Sequence, residues 1–394
     1  MTDRSASDAE FLLRDVERAL PEGELERKLE EGRPLRVKLG LDPTAPDIHL
    51  GHTVVLRKLR EFQDRGHLVI LIVGDYTARV GDPSGRSAER PQLDPAEIDH
   101  NAETYQRQAF AVLDPERTEV RRNGEWLDMP AEELFRLART ATVAQLLERD
   151  DFAGRFAEGS PISVLELLYP LLQGYDSVAI RADVELGGTD QLFNLLLARQ
   201  VQQAYGVAPQ VAITMPILPG TDGVRRMSKS EGNYVGVTEP PEEIFGKVMS
   251  IPDEVMPAYY RLLLDREMEG DMSAVESKRA LARELTARYG GGEAAAHDAE
   301  GHFDRLHVQH APPEEMEEAR LPEGEVVHLP QLLADEFGLS RSEARRLLTQ
   351  GGVRLDGEPL PGSEFDIAAD KLVDGVIQVG RRRFKRLRAA DARG

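Results

Sequence analysis

The stretch Val37-Lys38-Leu39-Gly40-Leu41-Asp42-Pro43-Thr44-Ala45-Pro46-Asp47-Ile48-His49-Leu50-Gly51-His52 decides the fold. Val37 to Leu41 reads as a buried strand. Pro43 and Pro46 cannot continue a ladder and force a turn. A helix begins near His49. A strand that runs through Gly and Pro into a helix start is the unit from which doubly wound α/β sheets are built, and in such sheets ligands sit beyond the carboxyl ends of the strands.

The pattern repeats outward from this stretch. Val69-Ile70-Leu71-Ile72-Val73 is the cleanest apolar run, followed at once by Gly74-Asp75. Val184 to Leu186 and Val211 to Leu218 are further strand candidates. Helical periodicity fills the intervals at Thr53 to Arg65, Ala96 to Val112, Ala131 to Glu148 and Asp190 to Tyr205. The expected class is therefore α/β, a Rossmann-like doubly wound parallel sheet over residues 1–238. Glu239-Pro240-Pro241 ends the alternation, and 239–322 reads as helices without strands. Ala311-Pro312-Pro313 and Leu321-Pro322-Glu323-Gly324 read as linker. A small α+β unit is expected at 327–394, with Ser340 to Glu343 capping a helix, Gly351-Gly352 ending it, and Val353 to Leu355 and Val376 to Val379 as strands.

Composition excludes several classes. The chain has 394 residues, enough for two or three domains, and no cysteine, so disulfides, thiolate metal sites and cysteine nucleophiles are ruled out. No run of about 18 apolar residues indicates a membrane span. Met1 to Arg14 is polar and acidic, without a secretory pattern, and a cytoplasmic location is expected. The net charge of −21 argues against nucleic acid in general. Its distribution does not. Arg381, Arg382, Arg383, Lys385, Arg386, Arg388 and Arg393 oppose only Asp391 at the C-terminus. By charge alone, this tail fits a phosphate contact and a solvated terminus equally well.

Two motifs carry the chemistry. His49-Leu50-Gly51-His52 sets two imidazoles at i and i+3 on a helix start. No convincing third ligand lies nearby, so a metal site is not expected. A helix N-terminus with imidazole donors suits phosphate, and Gly51 permits close approach of a nucleotide ring. About 175 residues later, Arg226-Met227-Ser228-Lys229-Ser230 supplies a cationic loop. Only eight of the 49 basic residues are lysine, so Lys229 is the minority choice here. Arg226 offers a fork of donors and Lys229 a compact point charge.

In this order, the two motifs resemble those of the class I aminoacyl-tRNA synthetases, with Leu50 and Arg226 as the departures. The resemblance covers roughly Arg33 to Arg388. Tyr169, Gln173 and Asp176 share one helix face, and the segment Tyr169 to Asp176 is similar to the amino-acid pocket of tyrosyl-tRNA synthetases of the bacterial type. That resemblance implies that Tyr169, Gln173 and Asp82 hold the α-amino group and that Asp176 accepts from the phenolic hydroxyl. Thr77, Asn123, Asp42 and Gln191 complete the tyrosine contacts, and Trp126 fits the same pattern. It implies that Gly40, Asp42, Gly51, His52, Gly188, Asp190, Met227 and Lys229 bind ATP. His49, His52, Thr44, Arg86, Arg90, Arg226 and Lys229 are the implied catalytic groups. Many relatives have Tyr where this chain has Lys38. Lys38 is expected either to pair with Asp176 or to sit near the phenolic oxygen.

Family resemblance further implies Mg²⁺ carried by ATP, no tightly bound cofactor, tRNA as partner and a homodimer joined around residues 130–170. The C-terminal unit resembles a small RNA-binding fold shared with a ribosomal protein and pseudouridine synthases, carried by Leu339 to Arg346 and Gly351 to Gly357. This favours the RNA reading of the tail. Three other readings are weighed. A tryptophanyl enzyme shares both phosphate motifs, but Gln173, Asp176 and Gly187 to Gln191 favour tyrosine. A small-molecule nucleotidyltransferase leaves the C-terminal unit without a role. A non-catalytic RNA-binding protein leaves His52 and Lys229 without one.

Overall fold

The computed structural model describes residues 3–43, 47–82, 94–308, 316–322, 324–380 and 383–389. The chain divides into two compact units, Met1–Gly290 and Gly291–Gly394, parting within Gly290-Gly291-Gly292.

The first unit is built on a six-stranded sheet of β1 (Arg18–Leu20), β2 (Arg36–Leu41), β3 (Leu68–Val73), β4 (Thr118–Arg122), β5 (Val184–Gly188) and β6 (Val211–Met215), in the order β1-β6-β5-β2-β3-β4. All neighbours are parallel except the β1–β6 pair. The chain steps from β2 to β3 and β4 in one direction, then returns to β5 and β6 in the other. β2 and β5 therefore flank the switch point, where crossovers leave toward opposite faces and a crevice opens. The central strands are apolar because helices cover both faces. Val37, Val69, Ile70, Ile72, Val184, Val211 and Ile213 are all fully buried.

Two strands of the first unit's sheet escaped the sequence reading. β1 is only three residues long, and β4 is Thr-Glu-Val-Arg-Arg, half-buried throughout at the sheet's edge. β6 stops at Met215 rather than Leu218, because Pro216 cannot donate to the ladder. The expected helix from Ala131 to Glu148 is broken. Ala131–Ala138 ends, and Thr142 starts a new turn at Val143–Leu146 by a reciprocal cap with Gln145. Asp150–Ala157 follows.

Helix Leu50–Asp64 leaves β2 with His49 as its N-cap. Helix Val164–Ala179 packs on helix Leu192–Ala204, and Gly174 makes the contact close: a Cβ there would stand 2.9 Å from Val201 Cγ2 and 3.2 Å from the Ala198 backbone. Helices Pro241–Met249, Met256–Leu264 and Ala274–Tyr289 belong to the same unit. Arg57 donates to the Leu263 carbonyl and Tyr259 to the Pro219 carbonyl at 2.8 Å, tying helix Met256–Leu264 to the sheet body.

In the second unit, β7 (Glu318–Arg320), β8 (Val326–His328), β9 (Val353–Leu355), β10 (Glu358–Pro359), β11 (Asp366–Ala368), β12 (Val376–Val379) and β13 (Arg383–Arg388) form a five-stranded sheet, β10-β9-β12-β13-β7, and a β11-β8 pair. Helices Leu329–Phe337 and Arg341–Thr349 share its core through Leu333, Ala344, Leu348 and Ile377. The described part of the basic tail is β13, a paired strand.

Candidate active site

The carboxyl ends of β2, β3 and β5 open into a cleft of about 600 Å³, lined by Gly40, Asp42, Gly74, Gly188, His49, His52, Tyr169, Gln173, Asp176 and Lys229 among others. Gly40 borders it with free space: a Cβ there would meet nothing within 4 Å. A Cβ on Gly74 would collide with Asp42 Oδ1 and Thr77 Oγ1, so glycine lets β3 end against that pair.

One end of the cleft is a chain of hydrogen bonds. Asp42, just past β2, accepts from Thr77 Oγ1 at 2.7 Å and from the Tyr169 hydroxyl at 2.8 Å. Asn123 Nδ2 donates to Thr77 Oγ1 at 2.9 Å and lies 3.4 Å from Asp176 Oδ2. Trp126 Nε1 donates to Asp176 Oδ1 at 2.8 Å. Asp176 is only 3% exposed. Burial pushes its carboxyl up to about 7, against the opposing pull of Lys38, Trp126 and Asn123. Farther along the cleft, Gln191 Nε2 donates to Asp82 Oδ2 at 3.0 Å and Gln191 Oε1 accepts from Asn194 Nδ2 at 3.1 Å.

The other end is cationic. Leu50 N–H bonds the Val235 carbonyl at 2.9 Å and Val237 N–H bonds the Ile48 carbonyl at 3.0 Å, so the His49 segment is paired with the chain that follows Lys229. The His49 and His52 rings stand 3.9 Å apart. His49 N–H donates to His52 Nδ1 at 3.3 Å, which leaves the proton on His52 Nε2. Burial, then the Lys229 charge, lowers His52 to about 4. Burial, then His52 and the loop cations, lowers His49 to about 2. Both rings are neutral donors near pH 7, and His49 Nδ1 has no hydrogen-bond partner among the described residues. Gly51 keeps the gap between the motifs open, since a Cβ would come within 3.0 Å of the His49 ring and 3.6 Å of Met227 Cβ.

Each loop cation rests on a carboxylate. Lys229 Nζ lies 2.6 Å from Asp47 Oδ2, and Arg226 lies 3.1 Å from Asp190 Oδ2. Burial would raise Asp47, but the Lys229 ammonium together with hydrogen bonds from Gln108 and Thr238 holds the carboxyl below its usual range. Burial and the nearby Asp82 charge raise Asp190. The loop itself is braced by Asn233, whose amide accepts from Ser228 N–H at 2.9 Å and donates to Asp222 at 2.9 Å and the Arg226 carbonyl at 3.1 Å. No group of three or more His, Asp or Glu among the described residues is arranged to hold a metal ion, and no helix among them is long and apolar enough to cross a membrane.

Most expected site residues thus meet in one cleft. Thr44, Arg86 and Arg90 lie outside the described residues, as do Arg381, Arg382 and Arg393 of the tail. Lys38 is a correction. It is 0% exposed and pairs with Glu185 at 2.9 Å, not with Asp176. The reason is register: Lys38 and Glu185 are opposite one another on β2 and β5, beneath the helix carrying Gln173 and Ser177. Glu185, Asn194, Asn233 and Asp47 were missed as organisers. Of these, only Asp47 carried a signal, as an acid just before the His49 segment.

A family model described as class I tRNA synthetases for W and Y matches residues 30–307. A tyrosine–tRNA ligase of Moorella thermoacetica is 52% identical over 397 residues, covering 96% of this chain and 94% of that protein. One from Thermotoga maritima is 50% identical over 396 residues, covering 97% and 98%. Among solved structures, tyrosyl-tRNA synthetase of Archaeoglobus fulgidus complexed with L-tyrosine superposes with a TM-score of 0.61, covering 75% of this chain and 99% of that one at 24% identity. A C-terminally truncated mitochondrial tyrosyl-tRNA synthetase of Aspergillus nidulans gives 0.62, covering 78% and 100% at 20% identity. At those identities the likeness to the solved structures is one of fold.

Asp176 yields a signed prediction. Its folded pKa of about 7 exceeds the ordinary 3.8, so between these values the folded protein binds the extra proton. Its contribution to stability is present at low pH and is lost as pH rises through about 7. Asp176→Asn removes this dependence. In denaturant unfolding, the variant should gain on the wild type by on the order of 3 kcal/mol between pH 4 and pH 8. A constant difference across that range would contradict the burial account.

Proposed function

The chain belongs to the class I tRNA synthetases of the tryptophan and tyrosine group, and from that membership we propose that its cleft activates L-tyrosine with ATP and passes the tyrosyl group to a tRNA. The observation that carries the choice of tyrosine is Asp176, a carboxylate at the buried end of the cleft, oriented by Trp126 and Asn123. It accepts from the phenolic hydroxyl. A substrate without that hydroxyl leaves a buried acceptor unpaired, which costs free energy. Indole, being larger and lacking the para hydroxyl, meets the same wall.

In the first step, a carboxylate oxygen of tyrosine attacks the α-phosphorus of ATP and pyrophosphate leaves. The cleft's work is positioning and charge stabilisation. Tyr169, Gln173 and Asp82 receive the α-amino group, with Thr77, Asp42 and Gln191 completing the tyrosine contacts. Asp190 and Gly188 take the ribose, and Gly40, Gly51 and Met227 flank the nucleotide. His52 donates from Nε2 to phosphate, with His49 beside it. Arg226 and Lys229 leave Asp190 and Asp47 to meet the departing pyrophosphate. Mg²⁺ arrives with ATP as part of that substrate. In the second step, a ribose hydroxyl of the tRNA 3′-terminal adenosine attacks the acyl carbon, loses its proton, and AMP leaves. The reaction is placed in the cytoplasm.

The second unit supplies the RNA contact. Arg341, Arg345 and Arg346 are exposed on helix Arg341–Thr349. Within the tail, Lys385 and Arg388 are already paired with Glu317, Glu336, Glu318 and Asp374, so the helix arginines carry more of the charge available to phosphate. In this reading the helices between Pro241 and Tyr289, which belong to the first unit, serve the anticodon side. Two copies join through the segment near 130–170, where Phe135, Val143, Phe156 and Val164 are each at least 60% exposed.

Lys229→Ala should reduce single-turnover adenylate formation about a hundredfold or more while tyrosine affinity changes less than about threefold. An unchanged rate contradicts the role given to Lys229. Replacing Arg341, Arg345 and Arg346 together by Gln should spare adenylate formation, weaken tRNA charging, and flatten the log–log salt dependence of tRNA binding by about 1 to 3. An unaltered salt slope contradicts the RNA contact.

A further inference from the structure

Lys38 and Glu185 are the most deeply buried ion pair of the first unit's cleft wall, with side chains 0% and 1% exposed and Nζ to Oε1 at 2.9 Å. Lys38 Nζ also donates to the Gln173 carbonyl at 3.0 Å and to Ser177 Oγ at 2.8 Å. Glu185 accepts from Gln173 Nε2 at 3.1 Å, from Ser177 Oγ at 3.1 Å, and from Gln210 Nε2. Such a pair is a poor stability device. Its attraction only roughly offsets the cost of desolvating two charges, and apolar side chains of similar volume commonly serve a core as well. Most buried positions of the central strands around it are Val, Ile and Leu. Its placement calls for another role.

The Gln173 amide supplies one. A glutamine can stand either way round, and only its oxygen can receive an ammonium group. A carboxylate can only accept. Glu185 therefore fixes Nε2 toward itself, and Gln173 Oε1 turns away, accepting from Asn194 Nδ2 at 2.9 Å with a second lone pair to spare. Asn194 is held in turn by Arg149 at 2.7 Å. Lys38 is the counter-charge, so the wall presents an oriented acceptor and not a net negative charge. Lys38 also binds the turn of helix that runs from Gln173 to Ser177, and Asp176, within that turn, lines the cleft. Its charge draws Asp176 downward against burial.

We propose that the Lys38–Glu185 pair is a positioning device for the amino-acid substrate: it sets the Gln173 amide with its oxygen toward the α-ammonium group and holds that helical turn at a fixed height over β2 and β5. It acts on the substrate through Gln173. The proposal rests on the reading of this cleft as a tyrosine site.

The test uses the full-length protein in pyrophosphate exchange, with tyrosine and ATP varied separately and the thermal midpoint recorded. The double variant Lys38→Met/Glu185→Leu removes both charges and retains apolar volume. It should melt like the wild type, raise the tyrosine KM about tenfold or more, and leave the ATP KM and kcat within about twofold. Adding Gln173→Glu, whose two oxygens are equivalent acceptors, should recover most of the lost tyrosine affinity. Glu185→Gln alone, which lets the amide stand either way, should raise the tyrosine KM in the same direction. A folded double variant with an unchanged tyrosine KM overturns the proposal. So does one in which ATP KM and kcat worsen equally, or one that no longer folds, since each describes a merely structural pair. Wild-type protein inert toward tyrosine overturns the cleft reading itself; active wild type with unaltered variants overturns this proposal alone.

Discussion

Crossovers leave β2 and β5 toward opposite faces of the sheet, and the gap they create is the constraint around which the first unit is arranged. Nothing apolar can close it, because both strand ends deliver backbone polar groups and carboxylates to the same place. Asp42 completes its hydrogen bonds with Thr77 and Tyr169, and Asp176 does so with Trp126 and Asn123. Each is satisfied by residues drawn from other strands and helices. Removing one partner leaves a buried polar atom unpaired, so the groups hold one another in place. A ligand entering this end meets a wall whose donors and acceptors are already oriented, which is what preorganised recognition requires.

The cationic end follows a different logic. Arg226 and Lys229 sit on a loop held by backbone hydrogen bonds, to the His49 segment on one side and from Met227 N–H to the Leu218 carbonyl on the other, and by an internal asparagine brace, and each lies against a carboxylate. Triphosphate carries more negative charge than either carboxylate, so nucleotide competes for the same cations. The two histidines differ from these groups. Burial keeps them neutral, and they contribute directed N–H donors with no change of charge on binding. Fixed neutral donors beside exchangeable cations suit a reaction in which charge builds on a leaving pyrophosphate.

Much of this was legible in the sequence where residue type and local spacing carry the meaning. Proline and glycine around Asp42 betray the strand-to-helix turn, His49 and His52 lie one turn apart, and Tyr169, Gln173 and Asp176 share a helix face. What was hidden depends on distant partners. Lys38 reads as a departure from the family until Glu185 is seen in register beside it on β5. Asn194 acquires its role only where helix Leu192–Ala204 crosses helix Val164–Ala179. β4 was missed because an edge strand of Thr, Glu and Arg has no apolar run to betray it, and the break at Thr142 because a cap inside a helical pattern changes no periodicity.

The most direct measurement is amino-acid-dependent pyrophosphate exchange by the wild-type protein, with tyrosine, tryptophan and phenylalanine assayed side by side. A para-hydroxylated ring facing a buried carboxylate predicts exchange with tyrosine and none above background with the other two at equal concentration. Exchange driven by tryptophan but not tyrosine contradicts the assignment of that carboxylate, and with it the account of the cleft.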